Sequence, residues 1–294
     1  MGAALSFSPP DAPLLADLER SAVRQEVSLA GSTLQMTWRR WGEGRPVVLL
    51  HGGHGNWRHW ARNVEVLATR HTVWVPDLPG YGDSSLPADH TLEAMVALVG
   101  HSLDRLVGPD TPVGVAGFSF GGLVAAGLSV ERGAISRLAL LGPAGHGSKR
   151  RPKGELRNWK PALEREDWVE FDAAMRHNLM MHMLHNVNSL DTTALAIHTQ
   201  SCLQTRFHSK RISRSSQLPQ LLERYTGPVL LAWGEHDVTA HPHSTASMLM
   251  QRRGPCTSVV VPRSGHWVQY EAASDVNSLL LNWFDQKFSP CQET

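Results

Sequence analysis

The feature that most restricts the fold of this chain is a serine between two glycines, at a point where a strand gives way to a helix. Residues 117–121 read Gly-Phe-Ser-Phe-Gly. The apolar run 112–116 before them predicts a short buried strand, and the run 122–128 after them predicts a helix. A turn this tight brings backbone segments so close that a Cβ atom at either glycine would clash. The pattern predicts that the hydroxyl group of Ser119 is held out of its sheet and exposed.

Two later segments supply a candidate base and a candidate acid for this serine, whose hydroxyl group needs an adjacent base to become a nucleophile. The strand predicted at 227–233 is followed by Gly-Glu-His-Asp, and the strand predicted at 257–261 is followed closely by His266. Side chains just beyond the carboxyl ends of parallel strands meet at one edge of the sheet. We expect His266 to act as general base and then as general acid, with Asp237 fixing its tautomer. Glu235, which lies nearer to the end of its strand, is the alternative acid.

A glycine-rich loop with the sequence His-Gly-Gly-His-Gly-Asn-Trp at 51–57 follows the apolar run 45–50. An oxyanion hole needs two backbone N–H groups directed at the developing negative charge. We expect Gly53 to supply one donor and Phe120, directly after the serine, to supply the other. An ordinary glycine-rich turn is the alternative interpretation. The loop lacks the Gly-Lys-Ser/Thr sequence of a phosphate-binding P-loop.

Together with the serine turn, four further motifs in this order resemble the α/β-hydrolase superfamily. They are His-Gly-Gly at 51–53, Asp-Leu-Pro-Gly-Tyr-Gly-Asp-Ser at 77–84, Trp-Gly-Glu-His-Asp at 233–237 and Gly-His-Trp at 265–267. The resemblance implies an α/β-hydrolase fold, with a mostly parallel central sheet, flanking helices and an inserted helical cap. It also implies a Ser–His–Asp triad. Within the superfamily, Gly-His-Trp-Val-Gln-Tyr-Glu at 265–271 is most similar to the meta-cleavage-product hydrolases, which cut a carbon–carbon bond in vinylogous diketone acids.

At two positions this chain differs from the meta-cleavage-product hydrolases. Those enzymes usually carry Asn just before the nucleophile, where this chain has Phe118. They also place an Arg in the cap to hold the carboxylate of the substrate. An approximate alignment puts His198 at that position, and Arg206, two turns further on, could substitute for it. Haloalkane dehalogenases are similar in layout but use Asp as nucleophile, so Ser119 argues against their reaction.

Strands alternate with helices along most of the chain, which predicts a parallel sheet with right-handed crossovers. A helix is predicted at 91–107, and a long final helix is predicted at about 270–287. Besides the three strands already described, the pattern predicts strands at 33–41, 45–51, 72–77 and 135–142.

The alternation is interrupted once, between about 145 and 224, where helices separated by polar loops contain no convincing strand. A helical insertion there lies over the catalytic end, which is the expected place for a cap. We therefore divide the chain into a first part of the core at 1–144, with a loose N-terminal arm, a helical cap at 145–224 and a second part of the core at 225–294.

The predicted cap is more basic than the rest of the chain. Residues 149–224 carry 13 Lys or Arg and 8 Asp or Glu, a net charge of +5 against −4 for the remainder. This charge is compatible with an acidic substrate, but a solvated basic face is the preferred interpretation. The whole chain has a net charge of +1, which gives no reason to expect nucleic acid or a membrane as a partner.

Aromatic side chains near the serine are candidates for the walls of a substrate site, namely Trp57, Phe118 and Trp267. His182 and His185 share a helix face at a spacing of three residues but lack an obvious carboxylate or Cys partner, so no metal is predicted. Apolar lining is the preferred interpretation of this segment, through Met180, Met181, Met183 and Leu184.

Composition indicates whether the chain is a globular, secreted or membrane protein. A hydrophobic content of 41% over 294 residues supports a substantial core. Cys202, Cys256 and Cys291 are far apart, which indicates reduced thiols in a cytoplasmic protein. The N-terminus lacks the pattern of a secretory signal, and no apolar run is long enough to span a membrane.

These observations favour a serine hydrolase that acts on a small, partly apolar carbonyl substrate, without a cofactor. A carboxylic ester is the first choice, because the triad suffices for its hydrolysis. Carbon–carbon bond hydrolysis of the meta-cleavage-product type is the second. A non-catalytic small-molecule receptor on a hydrolase scaffold is the third, and a homo-oligomer is left open.

Overall fold

Eight strands form one sheet in the part of the chain that the computed structural model describes, residues 12–29 and 33–286. The strands are β1 (Val23–Ser28), β2 (Gln35–Trp41), β3 (Arg45–Leu50), β4 (His71–Pro76), β5 (Val113–Phe118), β6 (Ile135–Leu141), β7 (Val229–Gly234) and β8 (Cys256–Val261). Their order is β1-β2-β4-β3-β5-β6-β7-β8. β2 pairs antiparallel with β1 and β4, and the other pairs are parallel. The predicted α/β fold with a mostly parallel sheet is confirmed.

Helices precede, connect and follow the strands. They are α1 (Pro13–Ser21), α2 (Val64–Ala68), α3 (Leu92–Val107), α4 (Phe120–Glu131), α5 (Lys160–Glu164), α6 (Trp168–His182), α7 (Thr192–Gln204), α8 (Lys210–Ser213), α9 (Gln217–Arg224), α10 (Pro242–Leu249), α11 (Val268–Glu271) and α12 (Ala273–Asp285). Two short 3-10 turns lie at Trp57–Trp60 and Val187–Ser189. No helix in the described ranges is long and apolar enough to cross a membrane.

The central strand β5 is buried along its whole length because helices cover both faces of the sheet. On one face, α3, α4 and α9 pack into a core that includes Val96, Leu123 and Leu222. On the other face, a second core includes Leu67 of α2 and Leu280 of α12. These two cores fix the carboxyl edge of the sheet, where the loops after β3, β5, β7 and β8 converge.

Two elements differ from the sequence prediction. The edge strand β1 was not among the predicted strands, because four of its six residues are polar and only Val27 is buried. The predicted final helix is two helices, α11 and α12, with Ala272 in a non-helical conformation between them. The part of the N-terminal arm before residue 12, Cys291 and residue 287 at the end of the predicted helix lie outside the described residues.

All described elements between β6 and β7 are helical, from α5 to α9 with the 3-10 turn at Val187–Ser189. This helical segment, residues 145–224, leaves the sheet just after Gly142. Gly142 has a φ of +48°. Its backbone passes beneath the candidate site, since a Cβ atom at Gly142 would lie 2.8 Å from Asp237 Oδ2 and 3.1 Å from His266 Nδ1. Only a residue without a side chain fits there.

Candidate active site

Ser119 lies at the apex of the turn between β5 and α4, with a φ of +52° and a ψ of −115°. A non-glycine residue in the left-handed region is strained and is held there by its surroundings. The surroundings are tight, because a Cβ atom at Gly117 would lie 2.3 Å from Gly121 O, and one at Gly121 would lie 2.3 Å from His51 O. The two glycines therefore let three backbone segments meet beneath the serine.

His266 connects Ser119 to Asp237 through hydrogen bonds at both ring nitrogens. His266 Nε2 lies 3.0 Å from Ser119 Oγ, and His266 Nδ1 lies 2.8 Å from Asp237 Oδ2. A carboxylate can only accept, so the ring proton belongs on Nδ1 and Nε2 is free to accept the proton of the serine. Glu235 does not take part, since it accepts from the N–H group of Arg263 and is exposed.

Thr239 is a neighbour of the acid that the sequence analysis did not single out. Its N–H and hydroxyl groups both lie 2.7 Å from Asp237 Oδ1, so the second oxygen of this buried carboxylate is also satisfied. Burial alone would raise the pKa of Asp237, but His266 and the hydrogen bonds from Thr239 outweigh it and hold the pKa below its usual value. An Asp that bonds the N–H group two residues on is a recognisable local pattern, and Asp-x-Thr is its signal here.

The glycine-rich loop lies against the serine turn. A Cβ atom at Gly52 would lie 3.2 Å from Ser119 Cβ, and one at Gly53 would lie 3.7 Å from Phe120 Cβ. No described residue accepts a hydrogen bond from the N–H group of Gly53 or Phe120. Both groups are therefore available to an oxygen atom bound next to Ser119.

Two buried histidines hold this loop in place. His51 Nε2 accepts from the N–H group of Leu78 at 2.9 Å, so its Nδ1–H group donates to Gly52 O at 2.8 Å. His59 Nδ1 accepts from the N–H group of Gly52 at 3.3 Å. These bonds need unprotonated nitrogens, and burial lowers the pKa of His51 to about 4 and that of His59 well below its usual value.

Trp57 and Trp267, which were predicted as walls of the substrate site, do not line the cavity around Ser119. Both are fully buried. Trp267 Nε1 donates to the carbonyl group of His59 at 3.0 Å, and the N–H group of Trp57 donates to Asp77 Oδ1 at 2.9 Å. The prediction is therefore corrected: both indole rings are buried in the core and help to hold the glycine-rich loop in place, and neither forms a wall of the cavity.

Arg206 also points away from the cavity, so it does not occupy the carboxylate-binding position considered for it. Its guanidinium donates to the carbonyl groups of Gly82 and Ser84, and the N–H groups of residues 206 and 207 donate to Gly80 O. His198 does line the cavity, together with Phe118. Burial lowers the pKa of His198 to about 4, so its ring is neutral near pH 7 and brings no positive charge to a carboxylate.

The cavity around Ser119 has a volume of about 460 Å³ and lies between the helical segment and the carboxyl edge of the sheet. Its described lining comprises Gly53, His54, Phe118, Ser119, Arg150, Leu156, Arg157, Asn158, Trp159, Asn178, His182, Met183, His198, Cys202, Ser209, Lys210, Ser213, Arg214 and His266. Within residues 12–29 and 33–286, no group of three or more His, Cys, Asp or Glu side chains is placed to hold a metal ion. His182 lines the cavity, and His185 stacks on His236 with ring centres 3.6 Å apart.

The fold and this site define the chain as an α/β protein of the hydrolase class. A family model described as the alpha/beta hydrolase family matches residues 47–279, so the chain belongs to that family. The resemblance found from the motifs is thereby confirmed.

Individual relatives differ in what they are named for. The chain is 30% identical over 296 residues to the dihydrolipoyllysine-residue acetyltransferase component of the acetoin cleaving system of Pseudomonas putida, covering 90% of this chain and 70% of that protein. It is 24% identical over 260 residues to 2-hydroxy-6-oxo-6-(2'-aminophenyl)hexa-2,4-dienoic acid hydrolase of Metapseudomonas resinovorans, covering 84% and 86%. A solved thermophilic esterase from Thermogutta terrifontis superposes with a TM-score of 0.68 at 22% identity, covering 90% and 98%, which shows the shared fold alone.

Proposed function

We propose that the protein is a serine hydrolase that cleaves a small, partly apolar carboxylic ester. The observation that supports this proposal is the unbroken chain of hydrogen bonds from Ser119 through His266 to Asp237. Ser119 and His266 both face the same cavity. A serine with a neutral imidazole at hydrogen-bond distance, backed by a buried carboxylate, is the arrangement that generates a nucleophile at neutral pH.

The reaction proceeds in two halves. His266 Nε2 takes the proton of Ser119 as Oγ attacks the ester carbonyl, and the N–H groups of Gly53 and Phe120 stabilise the oxyanion that forms. The leaving alcohol receives that proton from His266, and an acyl-enzyme remains. Water, deprotonated by His266, attacks the acyl group and releases the carboxylic acid, while Ser119 recovers its proton. These steps require no cofactor.

The surroundings of the triad fit a small molecule. A cavity of about 460 Å³ lies in the range of small-ligand sites. Phe118 and Met183 give it apolar surface, and we propose that residues 145–224 act as a cap that closes it. A cytoplasmic location belongs to the same proposal, in keeping with the free thiols of Cys202 and Cys256.

Hydrolysis of a carbon–carbon bond is the second candidate. It is favoured by the similarity to the dienoic acid hydrolase of Metapseudomonas resinovorans. That reaction needs a group to bind the acid end of the substrate and a step that protonates a dienol carbon. His198 is neutral and Arg206 is bonded to backbone carbonyl groups, so neither binds the acid end, and another cation of the cavity would have to do so.

The test is a paired assay of the wild-type protein, Ser119→Ala and the control Ser247→Ala, an exposed serine on α10. A short-chain p-nitrophenyl ester and a 2-hydroxy-6-oxo-dienoate are assayed in parallel under pre-steady-state conditions. We expect ester turnover with an initial burst of nitrophenol in the wild type and in Ser247→Ala. Ser119→Ala should lose at least about 10³-fold in turnover, because the oxyanion donors alone provide only residual catalysis.

Each alternative has its own outcome. Faster loss of the dienoate than of the ester would replace the ester proposal with carbon–carbon hydrolysis. Ester turnover that survives in Ser119→Ala would overturn the serine mechanism. Tight binding of either compound without turnover would identify a receptor on a hydrolase scaffold.

A further inference from the structure

The cavity around Ser119 is lined by cations, of which Arg150 is half-buried and the other three are exposed. The described lining includes four Lys or Arg side chains and no Asp or Glu, and the four are Arg150, Arg157, Lys210 and Arg214. None of their side chains forms a hydrogen bond or ion pair with a described residue. Like charges gathered in a cavity repel one another, so a bound anion would stabilise this arrangement.

Arg150 lies beside the triad because the next residue, Arg151, bonds the loop that carries Asp237. The N–H group of Arg151 donates to Val238 O at 3.0 Å, and Arg151 Nε donates to Asp237 O at 2.7 Å. The guanidinium of Arg151 also donates to the carbonyl group of Glu235. This contact fixes the start of the helical segment to the loop that carries the acid, and leaves the half-buried Arg150 facing the cavity.

Arg214 reaches the cavity from the adjacent stretch of the helical segment. The N–H group of Gly145 donates to Ser213 O at 3.0 Å, and the N–H group of Leu218 donates to Gly145 O at 2.9 Å. A Cβ atom at Gly147 would lie 2.9 Å from Ser216 Cβ. Residues 145–150 therefore run beside residues 213–218, and the exposed Arg214 is near enough to Arg150 for their charges to repel each other.

The groups near Arg150 respond to its charge. Burial, followed by repulsion from Arg214, lowers the pKa of Arg150 itself. Burial, then His266 and Arg150, lowers the pKa of His182 to about 3. The nearby carboxylate of Asp237 is already bonded to His266 and Thr239. No described residue therefore forms an ion pair with the Arg150 guanidinium, which remains available to an anionic ligand.

We propose that the substrate carries a carboxylate group, which Arg150 and Arg214 bind while its reactive carbonyl lies against Ser119. Guanidinium groups present paired N–H donors that match the two oxygens of a carboxylate. This inference rests on the proposed function, which it deepens by naming the substrate class. The two can still be tested apart, because the anion site is measurable without turnover.

The binding test uses Ser119→Ala, in which no reaction consumes the ligand. Glutarate and its diamide, glutaramide, have similar shapes and differ in charge, and calorimetry gives the dissociation constant of each. We expect glutarate to bind at least about tenfold more tightly, the value of a hydrogen bond to a charged group. Adding Arg150→Gln or Arg214→Gln should remove this preference. Adding Arg211→Gln, an exposed cation that does not line the cavity, should keep it.

The turnover test compares monomethyl glutarate with its neutral amide, methyl 4-carbamoylbutanoate. We expect the ratio of kcat/KM for the acid to that for the amide to fall about tenfold or more in Arg150→Gln and Arg214→Gln, and to stay unchanged in Arg211→Gln. Thermal unfolding shows whether each variant is folded. Equal binding of glutarate and glutaramide, or variants that keep the preference while folded, would overturn the carboxylate site. Tight glutarate binding with no Ser119-dependent turnover of these two esters or of the p-nitrophenyl ester would overturn the proposed function and leave the anion site standing.

Discussion

At the scale of single residues, the neighbouring acids Glu235 and Asp237 provide a direct test of how His266 is held. Asp237→Asn keeps the shape of the side chain but replaces an acceptor with an amide that can hold the imidazole in the wrong tautomer. We expect turnover to fall about 10³–10⁴-fold. The measurement is kcat at neutral pH on whichever ester the wild type hydrolyses.

Glu235→Gln is the matched control for this substitution. Glu235 lies two residues away on the same loop, but it is exposed and bonds the N–H group of Arg263. We expect kcat within about twofold of the wild type, as for most surface changes. If the two variants lost activity equally, the loop as a whole rather than the Asp237 carboxylate would matter.

The residues of this site divide into those that the sequence could predict and those that it could not. Ser119, Asp237 and His266 stand in recognisable motifs in a fixed order, and the structure brings them within hydrogen-bond distance. Trp57 was predicted in the substrate site because it follows the glycine-rich loop, and Arg206 because it lies two turns beyond the position aligned with the carboxylate-binding Arg. Which way a side chain points depends on packing against distant segments, and a single sequence does not contain that information.

At the scale of the elements, the turn between β5 and α4 depends on Gly121. An alanine there would bring its Cβ atom to 2.3 Å from His51 O and 2.4 Å from Leu50 O, and these backbone atoms cannot move without breaking β3. We expect Gly121→Ala to lower the free energy of unfolding by more than about 3 kcal/mol, as overpacking against rigid atoms does. Urea unfolding followed by circular dichroism provides the measurement.

Gly133 is the control for this substitution, because it has a φ of +74° and no atom within 4 Å of the position that a Cβ atom would take. Gly133→Ala should cost only the conformational penalty of a left-handed alanine, about 1 kcal/mol. A loss as large as that of Gly121→Ala would mean that backbone conformation, and not the close approach of β3, sets the requirement for glycine.

The same scale shows why some elements are easier to predict than others. The strands β3 to β7 are nearly continuous apolar runs, since both faces of the sheet are covered, and their bounds match the predicted ones within a few residues. β1 is an exposed edge strand whose alternating polar residues resemble a loop. The break at Ala272 depends on how α11 packs beside the site, which helical periodicity does not register.

At the scale of the whole molecule, His51 and His59 link stability to pH. Both are buried and accept backbone hydrogen bonds, and the pKa of His51 is lowered from 6.5 to about 4. Between these values the unfolded chain binds more protons than the folded chain, so the free energy of unfolding falls as the pH falls. Each histidine contributes up to about 1.4 kcal/mol per pH unit. Urea unfolding between about pH 7.5 and pH 5 measures the slope.

The variant His59→Gln isolates one of these contributions. Glutamine can still accept a hydrogen bond but cannot be protonated, so the slope of stability against pH should become shallower by up to about 1.4 kcal/mol per unit. An unchanged slope in a folded variant would show that His59 does not contribute to the acid sensitivity.

Arg151 and Arg206 attach the helical segment to the core through backbone carbonyl groups, in the loops at 235–237 and 80–84. A carbonyl oxygen is present whatever side chain its residue carries, and it has no proton to gain or lose in this range of pH. Substitutions that keep the backbone of those loops therefore leave the attachment points intact, whereas a Cβ atom at Gly80 would lie 2.7 Å from Phe207 Cβ and one at Gly82 would lie 2.5 Å from Asp77 Cγ. The side chains that line the cavity can therefore be redesigned without removing the bonds that attach the helical segment to the core.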